Sequence, residues 1–193
     1  VQGPQGPAGP SGGVGPTGSA AGIESAFVWS SQKQTIKSIA SFQYITFNNN
    51  IIGPSGFSLS SSTEPNYSAP TTFTLTKNAG WFLITYKIDI RSGEADYPTS
   101  YTDSAACLTK NGTEIPGSNS VVQAPGDRHI YSVQNTVLVK LSIGDKISLL
   151  AWVSDSDGSI GDNGSLLTFK PPLPSGLVPT EAVASLVFTR IAA

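Results

Sequence analysis

The sequence predicts an all-β chain, a sandwich of about ten antiparallel strands behind a short triplet-repeat segment. Three observations predict it. Residues 81–90, WFLITYKIDI, alternate with the two-residue period of a half-buried strand. Runs rich in Val, Ile, Thr and aromatics recur along the chain, separated by turn signals, and no stretch carries the period of an amphipathic helix. Before residue 22 the period is different again, with glycine at 3, 6, 9, 12, 15 and 18.

The glycine repeat reads GPQ, GPA, GPS, GGV, GPT, GSA. This is the spacing of a collagen-like triple helix, in which only a hydrogen fits at the axis of three wound chains. The bland alternative is a flexible Gly/Pro linker. The strict period favours the triple helix and, with it, three parallel copies of the chain. Proline in these triplets always follows glycine and never takes the third place. A helix that does not rely on third-place hydroxyproline points to a bacterial or viral source. Thr17 faces outward in such a helix and is a candidate for sugar attachment. Six triplets at about 3.1 Å per residue span roughly 55 Å. So short a helix needs a globular partner to hold it and set its register, and the repeat is expected to continue upstream of Val1. The division that follows is a stalk end over residues 1–21 and a head over 22–193.

In the head, Phe82, Ile84, Tyr86, Ile88 and Ile90 fall on one face of the 81–90 strand and form its core side. Trp81 and Leu83 fall on the other face. A monomer leaves them exposed and a trimer covers them, so they are the candidate trimer-interface residues. Further strands are expected at 25–30, 42–47, 71–76, 105–110, 130–141, 146–153, 165–169 and 182–191. Asn111-Gly112 predicts a tight hairpin turn. Asn78-Ala79-Gly80 and Gly144-Asp145 mark further turns. Strands in this number and spacing predict a jelly roll. The last strand reads as a central one. Segments 48–70, 91–104 and 154–181 read as long loops and as the natural carriers of specific function.

Composition narrows the function. Only 12% of the 193 residues are charged and the formal net charge is -2, so there is no basic excess of the kind that a nucleic-acid or acidic-membrane partner calls for. The 27 Ser and 17 Thr build a neutral, hydroxyl-rich exterior of extracellular type. Cys107 is the only cysteine, which excludes an intrachain disulfide and is expected to be buried. No apolar run is long enough to span a membrane.

Several stretches together resemble the complement-subcomponent-q and tumour necrosis factor superfamily of trimeric jelly rolls. More narrowly, they resemble the bacterial BclA-like collagen-like glycoproteins of the spore surface (exosporium). FTLTKNAGWFLITYKIDI is similar to that family's strand, turn and Gly-aromatic strand. LTKNGTEIPGSNS is similar to its Asn-Gly hairpin followed by a Pro-Gly turn. VQNTVLVKLSIGDKISLLAW resembles the superfamily's paired strands around a Gly-Asp turn, and ASLVFTRIA its closing strand. The resemblance implies a homotrimeric head on a collagen-like filament at a bacterial spore or cell surface.

Chemistry is sparse. His129 is the only histidine, and its place in APGDRHIYS reads as a surface or strand-edge position. No phosphate loop, dinucleotide fingerprint or His/Cys metal spacing occurs, so no catalytic or cofactor-binding residue is assigned and the protein is expected not to be an enzyme. In SDSDGSIGDNGS, Asp155, Asp157 and Asp162 are candidate Ca2+ ligands, but the EF-hand spacing is not met and a solvated hairpin loop explains the same residues. Glu94, Asp96 and Asp103 form a second acidic group. Asn66, Asn111 and Asn163 match the glycosylation triplet, although the hairpin accounts for Asn111. Trp29, Trp81 and Trp152 raise carbohydrate stacking, with core or interface packing as the simpler reading. The Pro-rich stretch 169–179 reads as an extended loop, with a segment recognised by a Pro-binding module as the alternative.

Two functions follow. The first is a structural surface fibre, whose head nucleates the triple helix and meets other surfaces. The alternative is a receptor- or glycan-binding head of a phage tail fibre or a complement-like recognition protein.

Overall fold

The computed structural model describes residues 3–4, 25–30, 34–35, 41–52, 56–60, 71–91, 101–125, 130–154, 165–166 and 184–192. Within these lie β1 (Ser25–Ser30), β2 (Gln34–Thr35), β3 (Gln43–Tyr44), β4 (Asn49–Ile52), β5 (Phe57–Ser60), β6 (Thr72–Leu75) and β7 (Gly80–Arg91). There follow β8 (Tyr101–Lys110), β9 (Thr113–Glu114), β10 (Ser120–Pro125), β11 (Ile130–Leu141), β12 (Lys146–Val153), β13 (Ser165–Leu166) and β14 (Ala184–Ala192). No helix occurs among the described residues, and every strand pair is antiparallel. The triplet repeat, apart from Gly3 and Pro4, lies outside the described residues.

Two sheets form. Sheet A runs β2-β13-β7-β14-β1-β4, with β11 on the other side of β7. Sheet B runs β10-β8-β12-β6-β5, with β3 also on β12 and β9 on β8. The longest strands, β7, β8, β11, β12 and β14, alternate between the sheets in chain order, as in a jelly roll. β14 lies between β7 and β1, a central place.

Alternation explains why the strands pack as they do. Along β7, Phe82, Ile84, Tyr86, Ile88 and Ile90 are all buried, while Trp81, Leu83 and Lys87 are exposed. Along β12, Ile147, Leu149, Ala151 and Val153 point inward from the opposite sheet. Between the sheets sits a chain of phenylalanines. Phe188 meets Phe57 at 4.5 Å and Phe73 at 5.5 Å, and Phe73 meets Phe47 edge-on at 5.4 Å. Each such ring contributes about 1.5–3 kcal/mol by leaving water.

Tyr86 reaches across the core from sheet A. Its hydroxyl lies 2.9 Å from the Ala106 carbonyl oxygen and 2.7 Å from that of Ser118, and donates its one proton between them. Burial, then the nearby Cys107 and Glu114 charges, push its phenol pKa up, so it stays a donor. Ser118 is itself buried. Its hydroxyl accepts from Leu108 N at 3.0 Å and lies 3.1 Å from Leu108 O, so the side chain takes the place of a strand partner.

The turns match their residues. Asn111 (φ 54°) and Gly112 (φ 81°) are both left-handed, as a two-residue type I′ hairpin requires. Gly80 is fixed by space, because a Cβ there would run into the Ala192 carbonyl oxygen on β14.

Three expectations need correction. Segment 48–70 is not one loop, because it holds β4 and β5. Asn48-Asn49-Asn50 and the serines of FSLS hide these strands, yet Phe57 and Leu59 alternate inward against the core. Residues 101–104 belong to β8 rather than to a loop, and β10 is an additional edge strand. It ends in Pro125, a residue tolerated at an edge. The strand expected over 42–47 shortens to β3 because a side chain replaces its ladder. The Gln34 amide donates to Thr46 O at 2.8 Å and accepts from Thr46 N at 2.8 Å.

Candidate functional site

The outer face of sheet A carries four of the large exposed apolar side chains, Trp81, Leu83, Leu138 and Ile191, while Phe42, Val121 and Ile143 lie apart from it. Leu83 on β7 stands between Leu138 on β11 and Thr189 on β14. One step along, Thr85 stands between Thr136 and Val187, and Val187 stands opposite Phe27 on β1. The Phe27 and Trp29 rings stack at 5.5 Å with 11° between their planes. Trp81 closes the near end, beside Ile191 at the irregularity between Arg190 and Ala192. In the single chain Trp81 is 40% exposed, Leu83 39%, Leu138 54% and Ile191 55%. An apolar strip of this kind, running across the neighbouring strands β11, β7 and β14, is a candidate interaction surface.

The strip has a polar boundary. Thr85 and Thr136 hydroxyls pair at 2.9 Å. Lys87 donates to Asp89 at 3.0 Å, and the Ser132 hydroxyl donates to the same carboxylate. Arg190 reaches the Ala79 carbonyl at 3.0 Å and braces the turn that leads into Trp81. The arrangement is an apolar centre with a hydrogen-bonded rim, the anatomy of a protein–protein contact.

Trp81 and Leu83 thus lie on one face. Phe82, Ile84, Tyr86 and Ile88 point the other way and are at most 1% exposed. Leu138 and Ile191 were not singled out from sequence. The signal was available for Leu138, which stands out of phase with Val133, Val137 and Leu141 in IYSVQNTVLVKL and so faces outward with Leu83. Ile191 depends on the local register shift, which sequence does not show.

Asp155, Asp157, Asp162, His129, Glu94, Asp96, Asn66, Asn163, Thr17 and the stretch 169–179 all lie outside the described residues. Asp103 is engaged, accepting from Gln123 at 3.0 Å. Among the described residues no three of His, Cys, Asp and Glu gather as metal ligands. Cys107 is buried at 4% exposure, and burial followed by the Glu114 charge pushes its thiol up to about 11. It remains protonated and behaves as a small apolar residue. Trp152 lies on the outer face of sheet B, 6.3 Å from Phe42. No helix among the described residues is long and apolar enough to cross a membrane.

No family model matches the chain, and no curated protein does. Solved structures do match. The crystal structure of murine APRIL at pH 5.0 is similar with a TM-score of 0.52 and 8% identity, covering 88% of this chain and 100% of that one. The pH 8.0 structure of murine APRIL gives 0.50 and 9% identity over the same shares. The chain folds as a tumour-necrosis-factor-like jelly roll. At this identity the likeness shows the fold alone. In that jelly roll the apolar strip lies on the sheet that holds the carboxyl-terminal strand β14 and the strand nearest the triplet repeat, β1.

Proposed function

We propose that the chain is one protomer of a homotrimeric surface fibre, with residues 1–21 as the end of a collagen-like stalk and residues 22–193 as its head. The fibre stands outside the cell, on a bacterial spore or cell surface of the BclA-like kind, and its role is mechanical and adhesive rather than enzymatic. The observation that carries this reading is the apolar strip of Trp81, Leu83, Leu138 and Ile191 on the same chain as a strict glycine triplet repeat.

The two features answer one another. A triple helix demands three parallel chains in register. The strip gives three heads a reason to associate through burial of apolar area. The junction is well placed for this. β1 begins at Ser25, which pairs with Thr189, the cross-strand neighbour of Leu83. The chain therefore enters the head at the apolar end of the face, so association of heads there brings three stalk ends together. A head that trimerises first nucleates the helix, and the short helix in turn resists separation of the heads.

Labelling cells and spores of the source organism with antibody raised against the head tests the placement. Label at the outer tips of surface filaments is the expected result. Label confined to the cell interior contradicts the proposal.

A further inference from the structure

One corner of the head joins two turns and the end of β6. The Asn111 amide nitrogen donates to Asp145 Oδ1 at 2.8 Å, and Asn111 Oδ1 accepts from Lys146 N at 2.9 Å. The Asn111 main-chain N–H donates to Lys146 O at 2.8 Å. Asp145 Oδ2 accepts from Ser142 N at 2.9 Å and lies 3.6 Å from Lys110 Nζ. Lys110 Nζ also reaches Lys140 O on β11 at 3.3 Å. Leu75 N donates to Asp145 O at 2.9 Å, which adds the end of β6. Thus a single asparagine side chain ties the β8–β9 turn to the β11–β12 turn, and a lysine ties the corner across to sheet A.

That asparagine precedes Gly112. The pair is open to solvent on the hairpin tip, and even a Cβ at Gly112 would meet nothing within 4 Å. An unbranched, unshielded neighbour leaves the Gly112 nitrogen free to attack the Asn111 side-chain carbonyl carbon. In that step the Gly112 N–Asn111 Cγ bond forms and the Cγ–Nδ2 bond breaks. The leaving Nδ2H2 takes the Gly112 amide proton and departs as ammonia. Water then opens the cyclic imide to aspartate or isoaspartate, with no oxidant or reductant needed. In the folded head, however, the carboxamide is held against residues 145 and 146, and both hydrogen bonds must break before it turns onto Gly112.

We propose that Asn111 is a latent deamidation site, held closed by its hydrogen bonds to Asp145 and Lys146, and that its conversion opens the corner joining β8, β11 and β12. The product places a carboxylate where an amide now donates to Asp145. Two anions then face one another at hydrogen-bond distance with no proton between them, so the modification reverses the sign of the contact. The head thus carries a slow, irreversible covalent change at a turn that ties β8 to β12.

The test is ageing of the full chain at neutral pH, with peptide mapping for aspartate and isoaspartate at residue 111. A free peptide covering residues 108–114 sets the unrestrained rate. The intact protein is expected to convert more slowly than the peptide, and Asp145→Ala to convert at least roughly tenfold faster than the intact protein, the effect of losing one charged hydrogen bond. Asp103→Ala, which removes a carboxylate near the other end of β8, is expected to leave the rate unchanged. Conversion of the intact protein at the peptide's rate, or an Asp145→Ala rate equal to the intact protein's, overturns the proposal. A second arm does not depend on ageing. Asn111→Asp keeps a residue that tolerates the left-handed turn. It is expected to lower the melting temperature, and Asn111→Asp with Asp145→Asn to restore it by reversing donor and acceptor. An unchanged melting temperature in the single variant, or no recovery in the double, overturns the second half.

Discussion

At the residue scale, two polar side chains carry more than their size suggests. Tyr86 is wholly buried, and its hydroxyl serves the Ala106 carbonyl on the opposite sheet and that of Ser118 in the β9–β10 connection. Tyr86→Phe keeps the ring and leaves those acceptors short of a donor, so a loss of about 1–2 kcal/mol is expected in urea unfolding. Asp145 acts through charge. Partial burial raises its carboxyl pKa, but the Ser142 N–H, the Asn111 amide and the Lys110 charge outweigh burial and hold it below its ordinary 3.8. A depressed folded-state value means stability that is fully present above the ordinary value and lost as pH falls through the folded one. Thermal melts across the acid range are therefore expected to fall less steeply for Asp145→Asn than for the unmodified protein. Identical slopes would remove Asp145 from the account.

At the element scale, β7 is the hinge of the structure. It pairs with β11 along its whole length and with β14 on its other side. Its inner face is core and its outer face is the apolar strip. The two faces predict opposite behaviour. Ile84→Ala, inside, is expected to cost about 2–5 kcal/mol in stability and to leave association unaffected in the fraction that folds. Leu83→Asp together with Leu138→Asp, outside, is expected to keep the β-sheet circular dichroism of the head and abolish association. Unfolding of the outer variant instead would show that the strip serves the monomer's own fold. Gly80→Ala forces β7 from the Ala192 carbonyl and is expected to loosen the end of β14.

β7 was also the most legible element, because Phe82, Ile84, Tyr86, Ile88 and Ile90 recur two apart over its length. β1, β11 and β12 were nearly as plain, because each carries inward-facing apolar residues two apart. The strands that escaped are short or polar. β4 begins in a run of asparagines, β5 alternates phenylalanine and leucine with serine, and β10 ends in proline. Their strand state comes from neighbours across the sheet rather than from their own residues. The face was legible at Trp81 and Leu83, where an apolar residue stands on the wrong side of an alternating strand. Its width was not, because which strands lie beside β7 is a matter of long-range pairing. The Gln34 clamp on Thr46 and the Ser118 bridge to Leu108 had no sequence signal, since any polar side chain in a connection has the same appearance.

At the scale of the whole molecule, the repeat and the head pose a single question of stoichiometry. Six glycine triplets have no use in one chain, and the strip on sheet A is uncovered in one head. The proposed association of three heads meets both needs, and with β1 beside the strip the proposed stalk would start where the heads join. Light scattering of the purified chain across a range of dilutions tests this most directly. The account predicts a particle of three times 20.0 kDa that persists on dilution and reverts to single chains in the Leu83→Asp, Leu138→Asp variant. A well-folded single chain of the unmodified protein at all concentrations would contradict it.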